Sequence, residues 1–190
     1  MTSNRLEAFT DAVIAIIITI MVIEFEAPEE TDFKALIPMI PKLLSYLLSF
    51  VFLAIYWNNH HHLFQIIDRV NGKVLWANMN VLFWLSLVPF STSWLGEHYY
   101  QAAPSATYGI LLTLISFSSF LLHYTVSLIH KDGSLLKSLS KTNKREGLTF
   151  ILYVAGVALS FIHTNYALTC YAIGTSLWFL PDRRIENIYK

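Results

Sequence analysis

The first apolar segment of the chain opens with Arg5-Leu6-Glu7-Ala8-Phe9-Thr10-Asp11 and continues unbroken through residues 12–23, ending at Glu24 and Glu26. From residue 6 to residue 25, it has the length of a membrane-spanning helix, about 20 residues or 30 Å. A carboxylate inside such a span costs on the order of 3 kcal/mol unless it faces protein or water. We therefore expect Asp11 to face a partner or a water-filled cavity, and the first helix to be an interior element.

Composition places the chain among membrane proteins. It has 190 residues, of which 55% are hydrophobic and 14% charged, whereas a soluble domain carries about 25% charged residues. The formal net charge is zero, which gives no reason to expect nucleic acid as a partner. Cys170 is the only cysteine, so an intramolecular disulfide is excluded and a buried structural thiol is expected. Acidic residues in the first segment and the lack of a small-residue cleavage site predict a retained span rather than a signal peptide.

The sequence predicts an all-α fold with six transmembrane helices in a single domain, residues 1–190, without an internal repeat. The six apolar segments are residues 6–25, 37–63, 74–94, 105–129, 148–163 and 166–180. Pro38 and Pro41 lie at the start of the second span, Pro104 precedes the fourth, and Pro181 follows the sixth.

Basic residues predict the orientation of the spans. One side carries eleven of the 13 basic residues, namely Arg5, Arg69, Lys73, Lys131, Lys137, Lys141, Lys144, Arg145, Arg183, Arg184 and Lys190. The other side carries Lys34 and Lys42 among six acidic residues. By the positive-inside rule both termini are cytoplasmic, in agreement with six spans of a multi-pass protein in the cell membrane. The basic link at residues 130–146 is expected to be a short surface helix or mobile.

Because successive spans run antiparallel, polar residues of three spans lie at the same depth near the cytoplasmic leaflet. They are Arg5, Phe9 and Asp11 of the first span, Trp57 to His62 of the second, and Trp76, Asn78 and Asn80 of the third. Polar groups buried in lipid need partners. We expect Asp11 to pair with an imidazole or an Asn amide.

Three consecutive histidines, His60, His61 and His62, allow three interpretations: a metal site, a proton relay or a structural hydrogen-bond network. Helical neighbours are about 100° apart, so the three rings cannot converge on one ion. No cysteine accompanies them and the first three spans hold no His-x-x-x-His pair. The structural network is favoured, and neither a metal nor a cofactor is expected.

The third span closes with residues 87–97, Leu-Val-Pro-Phe-Ser-Thr-Ser-Trp-Leu-Gly-Glu. Pro89 is expected to kink the helix, with Ser91 or Thr92 bonding the freed carbonyls. Trp94 suits an interfacial aromatic belt. An anchor with a kink is favoured over a substrate site.

Ile16, Thr19, Ile20 and Ile23 recur at i, i+3, i+4 and i+7, which defines one stripe of the first helix. Nearly all other positions from 12 to 23 are also apolar, so periodicity does not distinguish the lipid face from the protein face. On the residues alone, packing is favoured over pore lining. The Thr19 hydroxyl is expected to bond the carbonyl of Ala15.

Three blocks of sequence resemble one known family. Arg5-x-x-x-Phe9-Thr10-Asp11 is similar to the Arg-x-x-x-Phe-Ser-Asp signature of the transmembrane protein 175 family, endolysosomal potassium channels with prokaryotic relatives. The likeness extends to Tyr56-Trp57-Asn58-Asn59-His60-His61 and to Pro89-Phe90-x-Thr92-x-x-Leu95-Gly96-Glu97. Thr10 replaces the usual serine and keeps a hydroxyl. The six-span layout matches the prokaryotic single-repeat branch.

The resemblance implies a homotetramer in which the first helix of each subunit lines a central pore. It places the constriction at Ile16, with Thr19, Ile20 and Ile23 as further pore-lining positions. It also implies a structural network that holds the pore helix against its neighbours, made of Arg5, Phe9, Thr10, Asp11, Trp57, His61 and Trp76.

The expected function is therefore a modestly potassium-selective cation channel with a hydrophobic isoleucine gate, and not an enzyme. The sequence has no Thr-Val-Gly-Tyr-Gly loop, so a carbonyl selectivity filter is excluded. The expected partners are further copies of the chain, membrane lipid, and potassium with related monovalent cations.

Two alternatives remain. A proton-coupled transporter or proton channel would use Asp11 and the His60–His62 cluster as a relay, although no inverted repeat is visible. An intramembrane hydrolase would need converging ligands or a nucleophile with its base, and the sequence shows neither.

Overall fold

The computed structural model describes residues 2–65, 67, 69–128 and 133–179, with the backbone alone for 133–144. The described residues form α-helices and one 3-10 helix, Phe33–Met39. In chain order the α-helices are α1 (Ser3–Ile23), α2 (Ile40–Gln65), α3 (Gly72–Leu85), α4 (Val88–Glu97), α5 (Ala102–Ser127), α6 (Gly133–Ser160) and α7 (Thr164–Ser176). Outside the helices, Thr2 forms an isolated antiparallel bridge with Arg69, which fixes the start of α1 beside the α2–α3 link.

Four helical stretches are long and apolar enough to cross a membrane: Ser3–Ile23, Phe33–Gln65, Gly72–Glu97 and Ala102–Ser127. The prediction of an all-α, multi-pass membrane protein is thus confirmed. The fifth and sixth spans stay predictions, because α6 starts in the polar stretch at Gly133 and α7 has only 13 residues. The predicted span ends at Ile129 and Leu180, and the seven basic residues Lys131, Lys137, Lys141, Lys144, Arg183, Arg184 and Lys190, lie outside the residues whose side chains are described.

The third predicted span is two helices rather than one kinked helix. The interruption lies at Ser86 and Leu87, and Pro89 sits in the first turn of α4, where its missing N–H breaks no helical bond. The hydroxyls of Ser91 and Thr92 donate to the carbonyl oxygen of Val88, at 3.1 and 2.7 Å. The disruption predicted at Pro89 is therefore present, but as a boundary between two helices in the turn before the proline rather than as a kink within one helix.

A tyrosine fixes α5, α6 and α7 together. The ring of Tyr171 is fully buried and lies against Gly109 of α5 and Gly156 of α6, where a Cβ would overlap it. Its hydroxyl donates to the carbonyl of Ser105 at 3.1 Å and lies 3.2 Å from the Ser160 hydroxyl. The glycines thus provide space for an aromatic ring whose polar end is satisfied.

The first helix packs on the rest of the bundle through one face only. Its buried side chains recur every three to four residues and are Ser3, Leu6, Thr10, Ile14, Ile17 and Met21. They contact α2, α3 and α4, whereas the opposite face of α1 contacts nothing within the described chain that buries it. This arrangement positions the candidate site.

Candidate functional site

The four residues predicted to line a pore lie together on the exposed face of α1. Ile16 is 57% exposed, Ile20 40% and Ile23 77%, and Thr19 between them is also exposed. Burying a side chain of this size is worth about 1.5–3 kcal/mol. A row of open isoleucines on a packed helix is therefore a surface that requires lipid, another subunit or a conduit.

The hydroxyl of Thr19 donates to the carbonyl oxygen of Ile16 at 2.8 Å. The expected bond to Ala15 was wrong by one residue, because the side chain adopts the i−3 rather than the i−4 bond open to helical threonines. The hydroxyl proton is thus engaged, and the oxygen presents its lone pairs to the surroundings. The Thr19 hydroxyl oxygen is therefore a hydrogen-bond acceptor on the exposed face of α1.

Asp11 is paired with an indole. The Nε1–H of Trp57 on α2 donates to Asp11 Oδ1 at 2.9 Å, and the indole stacks on the ring of His61. The expected partner, an imidazole or an Asn amide, was wrong. Trp57 offers a single N–H donor at the correct depth, and the imidazole beside it binds a different carboxylate.

That second carboxylate is Glu7, which pairs with Nδ1 of His61. The other ring nitrogen of His61 lies 2.6 Å from Gln65 Nε2. Sequence reasoning missed Glu7, although a signal was present: Glu7 and Asp11 are four residues apart on α1, as are Trp57 and His61 on α2. Residues four apart share a helix face, so two antiparallel helices bring both pairs into register.

A third contact ties α1 to α3 through a buried amide. Asn78 Nδ2 donates to Thr10 Oγ1 at 2.9 Å, and Asn78 Oδ1 lies 2.9 Å from His60 Nε2. All three side chains are at most 3% exposed. Since the Asn78 oxygen only accepts, His60 must carry its proton on Nε2. The Thr10 hydroxyl accepts this hydrogen bond, and a serine hydroxyl at the same position would offer the same acceptor.

The other predicted network residues lie outside these contacts. Arg5 and Phe9 are on the exposed face of α1, and Trp76 on α3 is 78% exposed. His62 stacks obliquely on His61. Within the described part of the chain, no group of three or more His, Cys, Asp or Glu side chains is placed to hold a metal ion.

Acidic groups surround the C-terminal end of α1. The Ser93 hydroxyl donates to Glu24 at 3.2 Å and lies 3.3 Å from Glu97, and Lys42 forms an ion pair with Glu97 at 3.2 Å. An open depression of about 460 Å³ runs from these groups to Ile20. The exposed isoleucine face therefore leads into a polar, acidic end.

Comparison with known proteins gives consistent results. The family model described as "Endosomal/lysosomal potassium channel TMEM175" matches residues 5–89. The chain is similar to a potassium channel of Chryseobacterium sp. strain P1-3, 44% identical over 190 residues, which are 100% of this chain and 99% of that protein. It is also similar to a potassium channel of Chamaesiphon minutus, 31% identical over 122 residues, 59% of this chain and 60% of that one.

A zebrafish (Danio rerio) protein named an endosomal/lysosomal proton channel is 28% identical over 116 residues, 58% of this chain and 21% of that protein. Among solved structures, the fold is similar to the crystal structure of a lysosomal potassium-selective channel TMEM175 homolog from Chamaesiphon minutus. That match has a TM-score of 0.81 at 24% identity and covers 93% of this chain and 95% of the other. It shows a shared fold.

Proposed function

This chain belongs to the TMEM175 family, and we propose that four copies assemble around one axis into a cation channel with a modest preference for potassium. The family and its named relatives are channels and not enzymes. The full-length Chryseobacterium relative carries the name of a potassium channel. In the proposal the protein resides in the cell membrane with both termini cytoplasmic.

The observation that carries the proposal is the exposed face of α1. A helix on the lipid-facing outside of a bundle needs no polar group on its open face, yet this face carries Thr19 between Ile16 and Ile23 and ends at Glu24. One helix cannot enclose a conduit, but four copies around a symmetry axis can. The same four residues that are open in one chain then face one another across the axis.

In this assembly the isoleucines form narrow apolar rings at two levels. Rings at Ile16 and Ile23 exclude water when closed, which gates the conduit by dewetting. Between them, the Thr19 oxygens offer lone pairs to a cation because their protons are held by the Ile16 carbonyls. Potassium gives up its hydration shell more readily than sodium, so a narrow apolar neck with weak ligands favours potassium. With so few ligands the preference is modest.

The hydrogen-bonded pairs at the other end of α1 hold the helix in this position. Asp11 binds Trp57, Glu7 binds His61, and Thr10 binds Asn78. Each contact reaches a different part of α2 or α3, so together they restrict both the rotation and the sliding of α1. In the proposal these residues orient the conduit and do not touch the ion.

The acidic end of α1 supplies the electrostatic part of the proposal. Glu24 and Glu97 lie beside the end of the isoleucine row, and Glu26, Glu29 and Glu30 follow in the next segment. Four copies of such a segment create a negative potential that raises the local concentration of cations. This attraction does not discriminate between potassium and sodium.

The test is ion flux through purified protein in vesicles under potassium, rubidium and sodium gradients. Ile16→Asn is expected to raise the flux several-fold, because a polar ring keeps the narrow point wet. The matched control is Ile110→Asn on α5, a 48% exposed isoleucine outside the proposed conduit, which should leave the flux unchanged. Equal effects of the two changes would refute the isoleucine gate.

A second variant tests the threonine ring. Thr19→Val removes the only hydroxyl among the isoleucines at nearly constant volume and should lower the preference for potassium over sodium. Thr169→Val on α7 is the control, because this exposed threonine makes the same kind of bond to its own helix, to Asn165 at 2.8 Å. An unchanged preference in Thr19→Val would remove the hydroxyl ring from the mechanism.

Proton conduction is the second candidate function. It is favoured by the similarity to the zebrafish proton channel and by the cluster of Asp11, His60 and His61 at one end of α1. The contacts oppose it, since His61 is held between Glu7 and Gln65. A steep dependence of flux on pH that disappears in His61→Gln or His62→Gln would establish the relay.

A further inference from the structure

A cavity of about 70 Å³ lies between α2, α5, α6 and α7. Its walls include Tyr56 and His60 of α2, His123 of α5, Glu146 and Tyr153 of α6, and Trp178 after α7. None of the α1 residues proposed to line the conduit borders it. The space exceeds that of a single water molecule, about 30 Å³ in the liquid.

Three buried polar atoms in the walls have no hydrogen-bond partner among the described residues. The hydroxyl of Tyr56 is one of them, and it can both donate and accept. The other two are acceptors. One is Oε2 of Glu146, whose other oxygen pairs with Nδ1 of His123. The second is Nδ1 of His60. Because the contact with Asn78 puts the His60 proton on Nε2, Nδ1 carries only a lone pair. Glu146 is 5% exposed and His60 3%.

A buried acceptor without a donor costs about 1–3 kcal/mol. Two such acceptors on one cavity call for an occupant that donates at least two hydrogen bonds, and the Tyr56 hydroxyl oxygen can accept a third. A bare metal cation fits poorly, because such ions need many oxygen ligands. A small ammonium-type cation fits well, since it has only N–H donors, compensates a carboxylate, and packs favourably against aromatic rings such as Tyr56, Tyr153 and Trp178.

We propose that the chain holds an interior site for a small ammonium cation, ammonium itself or methylammonium, between Glu146 and His60 and away from the proposed conduit. A donor at Nδ1 of His60 also stabilises the form of the ring that donates to Asn78. The occupant thereby strengthens the two hydrogen bonds that connect His60 through Asn78 to Thr10 on α1.

The test compares the melting temperature of the purified full-length protein in ammonium, potassium and tetramethylammonium chloride at equal ionic strength. Ammonium and potassium are similar in size and enter a conduit alike, and tetramethylammonium has no N–H donor. A ligand that binds the folded state raises its stability. Ammonium is expected to raise Tm by a few degrees above the value in both other salts. Equal values in all three salts would overturn the site.

Two variants test whether the rise of Tm in ammonium arises at this cavity. Glu146→Gln should abolish the ammonium-specific rise in Tm. Glu7→Gln is the matched control, because Glu7 also pairs with a histidine, His61, but does not line the cavity; it should retain the rise. An effect that persists in Glu146→Gln, or is lost equally in both variants, contradicts the proposal.

A measurement on the unaltered protein covers the case in which Glu146→Gln does not fold. A high-resolution map in methylammonium should show density for two connected atoms inside the cavity, with the nitrogen towards Glu146 and His60. Water gives density for single atoms. Single-atom density or none in methylammonium would overturn the proposal.

Discussion

The contact between Thr10 and Asn78 gives the sharpest prediction about how α1 is held. Asn78→Ala removes two buried hydrogen bonds, of 2.9 Å each, and leaves groups on Thr10 and His60 without that partner. Hydrogen bonds between transmembrane helices average about 0.6 kcal/mol in double-mutant cycles, with a maximum of about 1.7, and an orphaned buried group adds to the loss. We expect a total loss of about 1–3 kcal/mol.

The assay is a double-mutant cycle of Asn78→Ala with Thr10→Val, measured by unfolding in mixed micelles with increasing denaturing detergent. The coupling energy should be about 0.6–1.7 kcal/mol. Asn80→Ala is the matched control, because this asparagine of the same helix donates to Ser118 of α5 at 2.8 Å. It should destabilise the protein without coupling to Thr10→Val.

A coupling near zero for Asn78 would refute the reasoning, since apolar packing alone would then position α1. A coupling of the same size for Asn80 would show that the cycle reports a general loosening of α3 rather than one bond.

Two further predictions concern other contacts. Asp11→Ala should weaken assembly or stability more than it alters ion preference. Trp57→Phe should reproduce the effect, because both changes remove the same 2.9 Å bond. Size-exclusion profiles and vesicle flux measure these effects, and normal assembly with altered flux would place Asp11 in the conduction path. Gly109→Ala should destabilise the protein by about 1–3 kcal/mol, because the added methyl group overlaps the buried Tyr171 ring. Gly147→Ala, where no atom lies within 4 Å of the new group, should be neutral or slightly stabilising; a similar loss at both glycines would contradict the overlap.

The helical class and the polar cluster could be predicted because membrane burial imposes strong rules. A carboxylate at position 11 cannot face lipid, so a partner for Asp11 was a safe prediction. Its identity was not, because Trp57, His60 and His61 all lie within reach of the same depth. The choice among them depends on the rotation of α1 against α2, which a uniformly apolar helix such as residues 12–23 does not encode.

The helix ends and the cavity are further features that the sequence alone does not predict. Pro89 marks a helix boundary in the sequence, but a proline in a first turn and one at a kink give the same local pattern. The pair of His123 and Glu146 joins residues from α5 and α6 that are distant in sequence. No periodicity links such residues, so the cavity beside them emerges only from three-dimensional packing.

In the proposed channel, the two faces of α1 have separate roles: the buried face stabilises the chain and the exposed face contacts the ion. Leu6, Ile14 and Ile17 are almost fully buried within their own chain, whereas Ile16 and Ile20 are only partly covered by it. Substitutions on the exposed face should therefore destabilise the individual chain less than substitutions on the buried face. Those positions can therefore be varied together in a screen for altered permeation while the buried face of α1 is kept unchanged.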